Sequence, residues 1–267
     1  MFFGGELFSA FCWRYSIIVF VAFCLAASSV YCLNDIADVE NDRRHPVKCR
    51  RPVASGAVTP GVAFGLMCLF IILSMVCISV TANGYVMAVV TLYWLLNILY
   101  TLRLKHIAIM DVFIISTGFV LRLLGGGIAA GIDLSPWIVC MIFLLTLFLA
   151  FAKRRDDVVL YEEKGTVTRR TIIHYTLPFM NQTLGILASV TMVCYVIWSL
   201  TPDVITRFDS GYVYVTSVFV LAGILRYLQI TIVEGRSGSP TDVVLSDRFI
   251  QICILFWLLF FLMIIYL

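Results

Sequence analysis

The stretch SIIVFVAFCLAASSVYCLNDIADVEND, residues 16–42, decides the fold because it joins an apolar run to a group of carboxylates. Residues 15–33 carry no charged side chain and have about the length that a helix needs to cross a bilayer. The segment that follows is rich in polar residues, among them Asn34, Asp35, Asp38 and Asp42. This stretch therefore predicts a membrane-spanning helix that ends in a polar site.

The whole sequence shares the apolar character of this stretch. Of its 267 residues, 61% are hydrophobic and 13% are charged, against about 45–50% and about 25% in average globular domains. A water-soluble fold could not bury so much apolar surface, so soluble enzymes, fibres and disordered proteins are excluded. The net charge of +3 gives no indication of nucleic acid as a partner. The composition predicts an integral membrane protein, and its long unbroken apolar runs favour helices.

Apolar stretches long enough to span a bilayer recur along the chain, and in lipid the backbone must satisfy its own hydrogen bonds. We therefore predict an all-α, polytopic transmembrane helix bundle with about eight spans. We treat residues 1–267 as a single transmembrane domain. The predicted spans are 15–33, 61–81, 85–101, 108–131, 136–156, 178–200, 211–231 and 249–267.

The charged residues are concentrated in alternate loops. All but three of the 19 basic residues follow the first, third, fifth and seventh spans, the exceptions being Arg14, Arg122 and Arg207. Loops rich in Lys and Arg stay in the cytoplasm, so we expect these loops there and both termini outside. Acidic residues share the same loops, which indicates a site for a metal and an anion that faces the cytoplasm.

The amide and carboxylates after the first span are predicted to share one helix face. At 100° per residue Asn34, Asp35, Asp38 and Asp42 fall within an arc of about 100°, whereas Glu40 points away. Carboxylates this close repel each other unless a cation lies among them, and hard oxygen ligands suit Mg²⁺ shared with substrate phosphates. We predict that these four residues bind Mg²⁺ and that the three aspartates are catalytic. The alternative is a solvated acidic helix end.

A basic loop from His45 to Gly56 follows this acidic face. Pro46 and Pro52 stop helix growth and stiffen the loop. Cations beside a metal site indicate a polyanionic substrate, most simply a diphosphate, and Lys48 and Arg51 are the favoured contacts. The alternative is that these residues only hold the loop inside.

Two further groups of charges are candidates for substrate binding. Asp111 and Arg122 lie eleven residues apart, on one side of the fourth span, and a charge at that depth indicates a functional site. The alternative is an ion pair with a neighbouring helix. At the end of the fifth span stands Lys153-Arg154-Arg155-Asp156-Asp157, where the simpler interpretation is an i,i+4 pair of Lys153 with Asp157.

Together these motifs resemble the UbiA-type intramembrane prenyltransferases, and most closely the branch that transfers phosphoribose to decaprenyl phosphate. Asn34, Asp35, Asp38 and Asp42 match the first Asp-rich motif of the superfamily. The branch is indicated by a set of weaker matches: the run from His45 to Gly56, Lys105-His106 with Asp111, Gly118 to Arg122, and Lys153-Arg154-Arg155.

The resemblance implies a reaction between two anions. The donor would be 5-phosphoribosyl 1-diphosphate, the acceptor a polyprenyl phosphate in the bilayer, and the cofactor Mg²⁺ on the aspartate face. It also implies two sets of phosphate contacts. The donor contacts are Lys48, Arg51, Lys153 and Arg154; those around the acceptor phosphate are Lys105, His106 and Arg122.

Two departures from the superfamily pattern matter. Members that use a prenyl diphosphate carry a second D-x-x-x-D motif after the fifth span, and here that place holds bases, which argues against prenyl transfer to an aromatic acceptor. Members also have nine helices, so we expect a first helix to be encoded upstream of Met1. The resemblance implies a bacterial inner-membrane enzyme. Aromatic prenyl transfer, a transporter, a structural membrane subunit and a homo-oligomer stay open.

Overall fold

A computed structural model of the chain describes residues 10–43, 48–165, 170–235 and 239–266. Within these ranges it is all-helical without a strand, which confirms the predicted fold class. His45 and Pro46 of the basic motif lie outside the described residues. The helices are α1 (Ala10–Ala37), α2 (Val39–Arg43), α3 (Pro60–Ser79), α4 (Gly84–Leu102), α5 (Met110–Ala130), α6 (Pro136–Lys164), α7 (Leu177–Ser199), α8 (Pro202–Phe208), α9 (Ser217–Ile232), α10 (Pro240–Ser246) and α11 (Arg248–Tyr266).

Seven of these helices are long and apolar enough to cross a membrane, and an eighth span is counted if α10 and α11, bent by 83°, form one broken span. The chain is an integral membrane protein, as predicted. Several helices begin or end a few residues away from the predicted spans, and the largest difference is in α6, which continues past residue 156 to Lys164. The charges from Lys153 onwards are therefore helical. The helix ends where Gly165 takes the left-handed conformation that glycine adopts without strain.

The contacts divide the chain into two compact units, and the single domain over residues 1–267 stays a prediction. Unit 1 contains α1 to α4 and the second part of α5, Val120–Asp133. Its core includes Phe23 and Tyr93, whose rings meet edge to face at 5.2 Å. The hydroxyl of Ser29 donates to the Met67 carbonyl at 2.9 Å, and that of Ser74 to the Ala22 carbonyl at 2.8 Å. Small polar side chains thus join α1 to α3, as is common between membrane helices.

Unit 2 contains the start of α5, Asp111–Phe119, and the chain from Leu134 onwards. Its core joins α7, α9 and α11 through aromatic residues. The rings of Trp257 and Phe261 lie 5.1 Å apart, and the Trp257 indole donates to the Tyr195 hydroxyl at 2.8 Å. Tyr195 also shares a hydrogen bond of 2.6 Å with Thr216. These large side chains therefore fill the unit without leaving their polar atoms unpaired.

Candidate functional site

The amide and carboxylates after the first span do share one face. The backbone stays helical through the break between α1 and α2, because the Asp38 amide donates to the Asn34 carbonyl and the Asp42 amide to the Asp38 carbonyl. Asn34, Asp35 and Asp38 are half-buried and Asp42 is buried. Below, the aspartate face means these four residues.

Two cations hold the aspartate face. The Lys105 ammonium lies 2.7 Å from both carboxylate oxygens of Asp38 and 3.4 Å from the Asn34 amide oxygen. One guanidinium nitrogen of Arg51, Nη1, lies 3.2 Å from Asp35 and 2.9 Å from Asp42. Each cation therefore bridges two of the four residues, and like charges that would otherwise repel are kept together.

The residues of this face fit a hard divalent cation in their chemistry, since all four present amide or carboxylate oxygen. In the described part of the chain, however, no three Asp, Glu, His or Cys side chains already converge on one point. Arg51 and Lys105 stand between the carboxylates instead. A metal would therefore bind here only as these two side chains turn to new partners.

Lys48 and His106 lie in short 3₁₀ turns near this face. Lys48 opens the turn Lys48–Arg50 and is half-buried, whereas His106 closes the turn Leu104–His106 and is exposed. Both turns belong to unit 1. Substrate binding by Lys48 and His106 stays a prediction.

Arg122 contacts a tyrosine of α4, and its binding of phosphate stays a prediction. It shares a side of α5 with Asp111, but its guanidinium donates to the Tyr93 hydroxyl at 2.6 Å and lies 5.0 Å from the centre of the Tyr93 ring. The ring faces a cation and the hydroxyl accepts from it, so both parts of Tyr93 stabilise the charge. Tyr93 therefore orients Arg122 within unit 1.

Asp111 pairs with Arg154, both of unit 2. Nε of Arg154 donates to Asp111 at 2.7 Å, and the exposed fractions of the two side chains are 2% and 0%. Asp111 also accepts from the Tyr175 hydroxyl at 3.1 Å and from Thr171 at 3.4 Å. The interhelical ion pair that was the alternative interpretation is what Asp111 forms. Arg154, predicted to hold phosphate, is buried in this pair, and its contact with phosphate stays a prediction.

The other charges of the α6 motif differ in surroundings. Lys153 is exposed, and Asp157 accepts from Arg154 at 3.4 Å, so its described bond is not the predicted one with Lys153. Arg155 is buried and binds three partners: the Asn181 amide oxygen at 2.7 Å and the backbone carbonyls of Thr231 and Ile232 at 2.6 and 3.4 Å. Lys153 is therefore the residue of this motif that can meet a phosphate directly.

The bend between α10 and α11 is held by Arg226. Its guanidinium lies 2.8 Å from Asp247 and 2.7 Å from Glu234. The other oxygen of Asp247 accepts from the Ile250 amide at 2.9 Å, so Asp247 caps α11. These charges have structural partners already.

The residues of these networks that were not identified from the sequence include Tyr93, Tyr175 and Asn181. Their partners lie 29, 64 and 26 residues away. A tyrosine in an apolar run resembles any other core aromatic, and nothing local marks it. An amide inside a spanning segment such as Asn181 is a signal that could have been followed.

Sequence comparison shows similarity over nearly the whole chain. A profile of the UbiA prenyltransferase family matches residues 4–242. The decaprenyl-phosphate phosphoribosyltransferase of Mycolicibacterium smegmatis is 36% identical over 90% of this chain and 77% of the relative. The enzyme of the same name from Corynebacterium glutamicum is 33% identical over 93% of this chain and 75% of the relative.

Structure comparison shows the same fold. A UbiA homologue from Archaeoglobus fulgidus, solved with DMAPP and Mg²⁺, superposes with a TM-score of 0.72 at 15% identity, over 99% of this chain and 92% of that one. A structure from work on digeranylgeranylglyceryl phosphate synthase superposes with a TM-score of 0.68 at 19% identity, over 100% of this chain and 90% of that one. At these identities the likeness concerns the fold.

Proposed function

Because the chain belongs to the UbiA prenyltransferase family, we propose that it is the transferase that moves 5-phosphoribose from phosphoribosyl diphosphate to a polyprenyl phosphate. That it is a transferase of this family follows from the matches themselves. The choice of donor and acceptor rests on the names of the two actinobacterial relatives and on the charges of this chain.

One observation carries the proposal: the aspartate face is bridged by Arg51 and Lys105. A metal–diphosphate complex can bind where carboxylates and basic side chains are in contact. The carboxylates coordinate the metal, and the basic side chains bind the phosphate oxygens. Bonds from charged donors to phosphate are about twice as strong as neutral ones. Arg51 and Lys105 would thus turn from carboxylate to diphosphate as the donor enters.

We propose Mg²⁺ as the cofactor, held by Asn34, Asp35, Asp38 and Asp42. When bound, it supplies Lewis-acid stabilisation of the leaving diphosphate and a template for the donor. Arg51 and Lys48 bind donor phosphates beside it. Lys153 binds phosphate in unit 2, where Arg154 and Asp111 fix the helix that carries it.

The acceptor phosphate attacks C1 of the ribose. A bond forms between this phosphate oxygen and C1 as the bond from C1 to the diphosphate breaks. Arg122, oriented by Tyr93, and His106 hold the acceptor phosphate, because Lys105 turns to the donor. A phosphate monoester is already nucleophilic, so these residues bind and orient rather than remove a proton. The charged loops support a cytoplasmic site in a bacterial inner membrane.

The test uses membranes that contain the chain, Mg²⁺, a polyprenyl phosphate and phosphoribosyl diphosphate labelled in the ribose. Label is expected to move into the organic phase as a lipid-linked pentose phosphate. Asp38→Asn is expected to lower turnover at least about a hundredfold. The matched control is Glu40→Gln, because Glu40 is exposed and pairs with Arg43 rather than with the aspartate face. Near-normal turnover of Asp38→Asn would refute the assigned metal site.

Prenyl transfer to an aromatic acceptor is the second candidate, favoured by the family's name and by neighbours solved with DMAPP and GPP. The exposed base Lys153 counts against it, since a prenyl diphosphate offers no phosphate beyond its diphosphate for that side chain to bind. This second function is supported if the ribose label stays in the aqueous phase while a labelled prenyl group moves from its diphosphate to an aromatic acid.

A further inference from the structure

Asn97 of α4 is an amide inside a membrane-spanning helix, where polar side chains are rare and indicate function. Its Nδ2 donates to the Tyr93 carbonyl at 2.8 Å. A carbonyl only accepts hydrogen bonds, so this contact fixes the orientation of the amide, with its nitrogen towards the helix and its oxygen away from it. Among the residues that the structure describes, the Asn97 oxygen has no hydrogen-bond partner.

The Asn97 side chain lies on the side of α4 that is turned away from lipid. Exposed leucines form a stripe along this helix: Leu92, Leu95, Leu99 and Leu102. At 100° per residue Asn97 lies about half a turn away from that stripe. It lies instead in the middle of the stripe of buried residues: Val86, Val90, Tyr93 and Thr101. Asn97 therefore faces protein rather than hydrocarbon.

The packing on this buried stripe is open at Asn97. Tyr93 and Thr101, one turn before and one turn after it, are 4% and 2% exposed. Asn97, between them on the same stripe, is only half-buried. Neighbouring side chains thus cover the stripe on both sides of the amide and leave a space at the amide itself, which a ligand can enter.

Asn97 also lies between two cations of unit 1. Arg122 is held by the hydroxyl of Tyr93, one turn before Asn97. Lys105, which pairs with Asp38, follows about two turns after it. In the proposed reaction Arg122 binds the acceptor phosphate and Lys105 the donor diphosphate. Because C1 of the ribose exchanges one for the other, the pentose must lie between these cations, at the level of Asn97.

An unpaired amide oxygen selects a ligand that donates a hydrogen bond. An ionised phosphate only accepts, so it would not bind this oxygen. A metal ion would be repelled by the guanidinium of Arg122, which the preceding turn of α4 holds. The hydroxyls on C2 and C3 of a pentose can donate, and they are neutral.

We propose that Asn97 accepts a hydrogen bond from a pentose hydroxyl of the donor and is a specificity-determining residue. The inference rests on the proposed function, because that donor carries free hydroxyls on C2 and C3. A prenyl diphosphate carries none, so Asn97 favours the ribosyl donor. A site built to bond a hydroxyl rejects analogues without it, since its own polar group is then left unpaired.

The experiment uses the full chain, purified into lipid nanodiscs, with phosphoribosyl diphosphate and its 2-deoxy and 3-deoxy analogues. The wild type is expected to prefer the ribosyl donor. Asn97→Leu is expected to raise the KM for that donor roughly three- to tenfold, to leave the KM for polyprenyl phosphate unchanged, and to reduce the preference over one deoxy analogue. It should melt near the wild-type temperature, because the Tyr93 carbonyl keeps its backbone bond within the helix.

Thr91→Val is the matched control, since the Thr91 hydroxyl donates to the Met87 carbonyl at 2.9 Å, four residues earlier in the same helix. It removes the same kind of bond from another side of α4 and should keep the wild-type KM and donor preference. The proposal is overturned if Asn97→Leu does the same, which would mean that the Asn97 oxygen binds an ordered water only. It is also overturned if the wild type has no donor preference, or if Asn97→Leu raises the KM equally for the ribosyl and both deoxy donors.

A binding measurement separates this inference from the proposed function. If the wild type transfers no phosphoribose, the proposed function fails. The pentose contact is then tested by the rise in melting temperature that phosphoribosyl diphosphate produces. A rise that is smaller in Asn97→Leu than in the wild type supports the contact, and an equal rise, or none in the wild type, overturns it.

Discussion

Asp111 and Arg154 show that a buried charge requires neighbouring side chains to compensate it. Each would be strongly unfavourable alone in an apolar interior, and at 2.7 Å each compensates for the other. Tyr175 and Thr171 take up further lone pairs of Asp111. The pair thereby joins the start of α5 to α6.

We predict that Arg154→Met destabilises the protein by about 3–5 kcal/mol, because it leaves Asp111 buried and unpaired. The double variant Asp111→Leu with Arg154→Met should be more stable than the single variant, since no lone charge remains. Unfolding of the detergent-solubilised variants is followed by circular dichroism. A double variant that loses the sum of both single losses would contradict this account.

Tyr93 offers a second residue-level prediction. Tyr93→Phe keeps the ring under Arg122 but removes the hydroxyl that accepts its hydrogen bond. We expect the KM for polyprenyl phosphate to rise about fivefold, within the range of one hydrogen bond from a charged donor. The KM for the donor should not change. Tyr85→Phe is the control because Tyr85 is exposed, and equal kinetics of both variants would mean that Tyr93 does not orient Arg122.

At the scale of elements, α5 approaches α1 at Gly125. A Cβ atom built on Gly125 would lie 2.8 Å from Cε2 of Phe23, whereas one on Gly126 would have no heavy atom within 4 Å. Phe23 is buried and packed edge to face on Tyr93, so it has little freedom to move. Close packing therefore requires a glycine at position 125 but not at the adjacent position 126.

We predict that Gly125→Ala lowers unfolding stability by about 1–3 kcal/mol through overpacking. Gly126→Ala should leave stability unchanged or raise it by up to about 1 kcal/mol, because alanine favours a helix more than glycine does. Thermal unfolding of the two variants, measured side by side, checks both signs. Similar losses in both would show that Phe23 does not set the constraint.

The sequence predicts the elements better than their contacts. Long apolar runs locate the spanning helices, and a 100° repeat correctly groups Asn34 with the three aspartates. Neither signal reveals that Arg51 and Lys105 occupy that group, or that Arg154 turns inward to Asp111, because the partners are 43 residues apart in the Arg154 pair and 67 in the Lys105 pair. Such pairings depend on how helices pack, which hydrophobic periodicity does not encode.

At the scale of the whole molecule, alternating loop charge predicts which side of the membrane each loop occupies. Ser55 lies in the charged loop after α1 and Asp133 in the loop between α5 and α6, and both are exposed. We predict that Ser55→Cys reacts with a membrane-impermeant maleimide only from the cytoplasmic side and Asp133→Cys only from the other. Mass spectrometry of labelled peptides separates these sites from Cys49 and the other native cysteines. Reaction of both from one side would refute the topology.

Under the proposed function, the bridging of the aspartate face by Arg51 and Lys105 links the binding of the metal to the binding of the diphosphate. A divalent cation that binds without diphosphate must displace Arg51 and Lys105 from their carboxylates and leave both without new partners. Its net binding free energy is therefore small. A diphosphate arriving alone meets three carboxylates of its own sign. When the cation and the diphosphate bind together, the carboxylates pair with the cation, and Arg51 and Lys105 pair with the diphosphate. By reciprocity each ligand then strengthens the binding of the other. If the proposed function holds, we expect the resting enzyme to bind little free metal and the concentration of free donor to govern how much of the cation it binds.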